Sequence, residues 1–196
     1  MHTAGYNLAL AQCMLQELEA YLLSQELFWP LGCKPTQNDP PYPRLTLGNL
    51  SLLLVELDAQ EETLLPAQRP QLRALHRTHE KILNQWRVAT ENKATREIGA
   101  RIRLWNAYLE DFFREGMRSG SYAYEVRNRV MLEHLVPLTQ QDDQIRDHLQ
   151  QIAALDGKLL DRFQPGEFIW DEPLQKYYPH GPFPFLYGHP RLPRSE

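Results

Sequence analysis

The sequence predicts an all-α fold: a bundle of about five helices, one of them central and unusually long or kinked, followed by an extended C-terminal tail rich in proline and aromatic residues. Three observations predict it. Residues 71–116 contain no proline and carry one apolar stripe at helical spacing. The flanking segments repeat that three-and-four spacing, each bounded by proline or a capping residue. From Gln164 onward the composition changes, with seven of the fifteen prolines and seven aromatic residues in the last 33 positions. The chain is accordingly divided into a helical domain, 1–163, and a tail, 164–196, packed on it.

In the long stretch the stripe is Leu72, Leu75, His79, Ile82, Trp86, Ala89, Ala94, Ile98, Ile102, Trp105, Leu109 and Phe112. Steps of three and four keep it on one side of a helix. Leu83, Tyr108 and Phe113 widen it, as a globular core helix requires. Pro70 suits the first turn, and Gly116, Ser119 and Gly120 form a stop signal. A straight helix of this length spans about 65–70 Å, whereas a chain of this size has a radius of gyration of about 16 Å. The helix therefore either breaks or projects toward a partner. The expected break is Val88 to Ala94, where the stripe thins and Thr90 and Asn92 are poor helix formers.

The first helix is expected from about Asn7, as N-cap, to Phe28, with Leu8, Ala11, Leu15, Leu18 and Leu22 as its stripe and Pro30 as its stop. Prolines 30, 35, 40, 41 and 43 make the next segment an extended connector. Thr46 caps the second helix, with Leu45 and Leu50 as a hydrophobic staple. Its stripe is Leu47, Leu50, Leu54, Leu57 and Leu64. A further helix covers about Tyr122 to Val136, ended by Pro137. A last one opens at Thr139, with Asp142 completing a capping box, and runs to about Phe163. The tail aromatics Phe168, Trp170, Tyr177, Tyr178, Phe183, Phe185 and Tyr187 call for burial, because a disordered tail is poor in such residues.

Composition is ordinary for a globular protein, at 42% hydrophobic and 23% charged. The two cysteines, Cys13 and Cys33, do not make a disulfide framework and are read as reduced thiols of a cytoplasmic protein. There is no secretory signal pattern and no run of about 20 apolar residues to span a membrane. The net charge of -4 is unevenly placed. Residues 1–68 hold 2 basic and 8 acidic side chains, residues 69–129 hold 13 and 7, and residues 130–196 hold 6 and 10. A basic centre lies between acidic flanks, through either internal pairing or a surface offered to an anion.

Two residue groups are candidates for a site. Lys93, Arg96, Arg101, Arg103, Arg127 and Arg129 form the anion-binding candidate, since the planar guanidinium suits phosphate and carboxylate. The interspersed Glu91, Glu97, Glu110 and Glu125 equally fit a solvated helix face. His76 and His79, three apart on one helix face, are the metal candidate. Their spacing is not the four-residue spacing of zinc proteases, and Arg73 and Arg77 repel a cation. No phosphate loop, nucleophile elbow or CxxC pair is present, so no catalytic residue and no cofactor is assigned.

The expectation is therefore a non-enzymatic interaction or scaffold module, self-associating through the long helix or binding another protein. An anion- or nucleic-acid-binding module on the arginine face is the alternative. A metal-dependent enzyme using the histidine pair is the third reading.

Overall fold

The structure is a computed structural model that describes residues 2–115, 122–140 and 143–191. It is mostly helical, with one small sheet. In chain order the helices are α1 (Ala4–Leu23), α2 (Leu47–Ala59), α3 (Arg69–Gln85), α4 (Arg87–Glu115), α5 (Tyr122–Glu125), α6 (Arg127–Leu135) and α7 (Asp143–Leu160). Strands β1 (Phe163–Phe168) and β2 (Tyr187–Pro190) follow. The chain gathers into two compact units, Met1–Glu97 and Ile98–Glu196, with the boundary inside α4.

In the first unit α2 is buried on nearly every side. Leu47, Leu50, Leu52, Leu53, Leu54 and Leu57 are all buried, which is why its leucines do not confine themselves to one stripe. Thr46 caps it, its hydroxyl accepting from the Asn49 N–H at 3.0 Å. Leu45 and Leu50, on either side of that cap, are fully buried, as the staple requires. α1 lays its full stripe of Leu8, Ala11, Leu15, Leu18 and Leu22 into this core and packs against both α2 and α3.

The boundaries of α1 differ from the sequence expectation. Thr3, not Asn7, is the N-cap, accepting from the Tyr6 N–H. Asn7 lies inside the helix with its side chain buried, donating to Gln60 at 3.1 Å. The helix also ends at Leu23, well before Phe28. There Ser24 folds its hydroxyl back onto the Tyr21 carbonyl at 2.8 Å, the local competition that makes serine a poor helix interior residue. The proline-rich connector leaves and returns through one antiparallel bridge between Trp29 and Leu45, with N–H to O distances of 3.0 and 2.8 Å.

The long stretch breaks at Trp86, two residues before the expected region. Trp86 alone leaves the helical well (φ -111, ψ 38) and separates α3 from α4. Thr90 and Asn92, the residues expected to break it, lie within α4. Hydrogen bonding continues across the joint, from the Trp86 N–H to Ile82 and from the Thr90 N–H to the Trp86 carbonyl. Intrinsic propensity is outweighed by burial at Thr90, which is almost fully enclosed.

In the second unit, Ile98, Ile102, Trp105, Leu109 and Phe112 of α4 are buried, and Trp105 stacks on Tyr108 at 5.4 Å between centroids. The expected helix over 122–136 is two pieces, α5 and α6, with Val126 between them. The stop signal at Gly116, Ser119 and Gly120 and the Asp142 half of the capping box lie outside the described residues.

The tail is not wholly without regular structure. β1 and β2 pair antiparallel, Phe163 opposite Pro190 and Gln164 opposite His189, with an irregularity between Pro165 and Phe168. None of its seven aromatics is exposed. Tyr122 of α5 donates its hydroxyl to the Phe185 carbonyl at 2.6 Å, and the Trp170 indole donates to the Ala123 carbonyl at 2.8 Å.

Candidate functional site

The residues singled out by charge divide between the two units. Lys93 and Arg96 belong to the first; Arg101, Arg103, Arg127 and Arg129 to the second. Most of these cations have partners inside the protein.

Lys93 is 2% exposed. Its ammonium donates to the carbonyls of Ser24 and Glu26 at 2.9 and 2.8 Å and lies 4.4 Å over the Tyr21 ring. Arg96 donates to the intervening Gln25 carbonyl at 2.7 Å. Three successive carbonyls at the exit of α1 thus meet two cations, the charge that a helix C-terminus favours. Burial, with Arg96 close by, pulls the Lys93 ammonium down to about 8; Glu26 and Glu97 oppose the shift.

One turn further along α4, Glu97 is wholly buried and accepts from the Gly48 N–H at the start of α2, at 3.2 and 3.3 Å. An anion is what a helix N-terminus favours. Lys93 and Glu97, four apart, therefore serve opposite ends of two different helices. The mixed charges that resemble a solvated face include the polar joints of the core.

In the second unit Arg101 is buried and donates to Asn128 at 3.0 Å. Arg129, 4% exposed, grips Asp156 with two bonds of 2.7 and 2.8 Å and meets Glu133 at 2.8 Å. Its plane lies 4.6 Å from the Phe185 ring. Burial disfavours its charge, but the two carboxylates outweigh that and hold its pKa above the usual arginine value. Beside it is a cavity of about 190 Å3 lined by Asp156, Leu159, Leu160, Pro184 and Phe185. Arg103 is exposed, and Arg127 is half-buried near the Tyr124 ring at 5.9 Å.

Of the histidine pair, His76 meets Asp58 at 2.7 Å, and that hydrogen bond raises its pKa. His79 is half-buried; burial first, and His76 second, lower it to about 4. Among the described residues neither belongs to a group of three or more ligand atoms within 4.8 Å of one another. The one group that does consists of Cys13, Glu17 and Cys33.

The cysteines correct the sequence reading. They are bonded to each other across a Cα separation of 6.3 Å, and so are not reduced thiols in this structure. A sequence separation of 20 residues carries no sign of this pairing. The one legible signal is Cys13 and Glu17, four apart on α1 and thus on one face. The partners Asp58, Asp156 and Asn128 carry no sequence signal either, because each comes from a remote element.

The remaining feature is apolar. The stripe of the long stretch is buried at both ends, through Leu72 and Leu75 and again from Ala94 onward. Between them, His79, Ile82, Trp86 and Ala89 are only half-buried, as is Leu83, and Val88 is 67% exposed.

The chain matches no family model, and no curated protein or solved structure is significantly similar to it. No described helix is long and apolar enough to cross a membrane.

Proposed function

We propose that the protein is a non-enzymatic interaction module that self-associates through the elbow between α3 and α4. The observation that carries this reading is the opening in the middle of an otherwise buried stripe. Ile82, Leu83, Trp86 and Val88 place large apolar groups around one turn of chain that the first unit leaves partly in water. Apolar groups left partly in water so close together along the chain suit an interaction site better than scattered single residues do. Trp and Ile suit the buried centre of such a contact, and Arg87 and Arg77 beside them suit its rim. A second copy is the simplest occupant, because two elbows meeting about a two-fold axis cover each other.

Anion binding is the weaker reading. Lys93, Arg96, Arg101 and Arg129 direct their charge to protein acceptors. A histidine-based metal enzyme is weaker still, with His76 committed to Asp58.

Val88→Glu tests the proposal at an exposed position, where the substitution leaves the fold intact. Light scattering is expected to show an oligomer for the parent chain and at least a tenfold weaker association for the variant. Equal association in both contradicts the elbow as the interface.

A further inference from the structure

Cys13 and Glu17 share one face of α1, and Cys33 reaches them from the proline-rich connector. The two sulfurs and a Glu17 oxygen lie within 4.8 Å of one another. A disulfide accounts for the cysteines but not for the carboxylate. Glu17 is nevertheless held there deliberately: the Trp29 indole donates to one oxygen at 2.6 Å and the Gly32 N–H to the other at 2.8 Å. A carboxylate beside two thiols disfavours their thiolate forms by like-charge repulsion, and thiol–disulfide exchange proceeds through the thiolate. A divalent cation reverses that penalty, because it binds thiolate and carboxylate together. Each carboxylate oxygen keeps a lone pair beyond the hydrogen bond it accepts. A ligating carboxylate fixed by outer hydrogen bonds is the usual arrangement around a metal.

We propose that, in the reduced protein, Cys13, Cys33 and Glu17 bind one thiophilic divalent cation of the zinc class, with water in the fourth position. Tetrahedral zinc at about 2.3 Å from each sulfur places the sulfurs about 3.8 Å apart. Cα atoms 6.3 Å apart suit a disulfide, and rotation of the two side chains opens the sulfurs to the larger spacing. A cellular dithiol delivers two electrons and two protons to the S–S bond and is itself oxidised to a disulfide. Cation binding then forms two sulfur–metal bonds and releases the two thiol protons to solvent. The connector stays tied to α1 in both states, by a covalent bond in one and by the cation in the other.

The test uses the full chain reduced with a phosphine, freed of reductant without oxygen, and shown to hold two free thiols. Zinc alone, then cobalt alone, is added. The expected result is one zinc retained per chain after desalting and a near-ultraviolet thiolate-to-cobalt charge-transfer band. Cys33→Ser should lose both, and Glu17→Gln should bind at least tenfold more weakly. Reduced parent protein with native helical dichroism that retains no zinc and shows no charge-transfer band overturns the proposal. If Cys33→Ser does not fold, Glu17→Gln decides: undiminished affinity overturns the three-ligand site.

Discussion

Lys93 shows how a residue read as surface charge becomes part of the core. Its three donors reach the Ser24 and Glu26 carbonyls and the Ser24 hydroxyl, so Lys93→Met removes one of the two cations at the exit of α1 and leaves part-buried carbonyls unpaired. The expected loss is about 1–3 kcal/mol by chemical denaturation. Arg96→Ala at the exposed neighbouring site should cost less than about 1 kcal/mol. His79 sets a pH dependence. Its folded pKa, about 4, lies below the ordinary value of 6.5, so the unfolded chain binds more protons between those limits. Stability from this group is lost as pH falls from 6.5 toward 4. His76 moves oppositely: Asp58 raises its pKa, and its contribution fades as pH rises through that raised value. Thermal melts of His79→Leu across pH 4 to 7 should therefore show a shallower acid fall than the parent, by on the order of 2 kcal/mol. An unchanged profile removes His79 from this role. None of these partnerships was legible in the sequence, because hydrogen bonds from α4 to the exit of α1 join residues almost 70 positions apart.

At the scale of elements, apolar periodicity was the legible part. The α1 stripe, the Thr46 cap and the Leu45–Leu50 staple occupy the places that spacing assigned them. Helix ends were less legible, since Ser24 stops α1 before Phe28 and Trp86, rather than the weak formers Thr90 and Asn92, breaks the long stretch. The β1–β2 pair escaped notice because Pro165 and Gly166 interrupt any alternation. Gly188 holds that pair together at φ 135, with its missing Cβ facing the Gln164 carbonyl. Gly188→Ala therefore strains the backbone and separates the strands at once. A loss of at least 2 kcal/mol is expected in thermal denaturation of the full chain; a stability within about 0.5 kcal/mol of the parent contradicts this reading of the hairpin.

For the whole molecule, part of the basic centre of the sequence is internal complementarity, with Lys93 on carbonyls, Glu97 on the start of α2 and Arg129 between Asp156 and Glu133, while Arg69, Arg73, Arg77, Lys81, Arg87, Arg96 and Arg103 stay exposed. Among those exposed cations the apolar stripe is least enclosed from Ile82 to Val88, with Ile82, Leu83 and Trp86 half-buried and Val88 exposed. A helix too long for a compact body, as the sequence implies, either breaks or finds a partner; here the chain breaks at Trp86 and leaves Val88 exposed beside the joint. Light scattering of the parent chain over a hundredfold range of concentration is the most direct measurement. Self-association through the elbow predicts a mass that rises to twice 23.0 kDa and falls back in Val88→Glu. A mass of one chain at every concentration contradicts it.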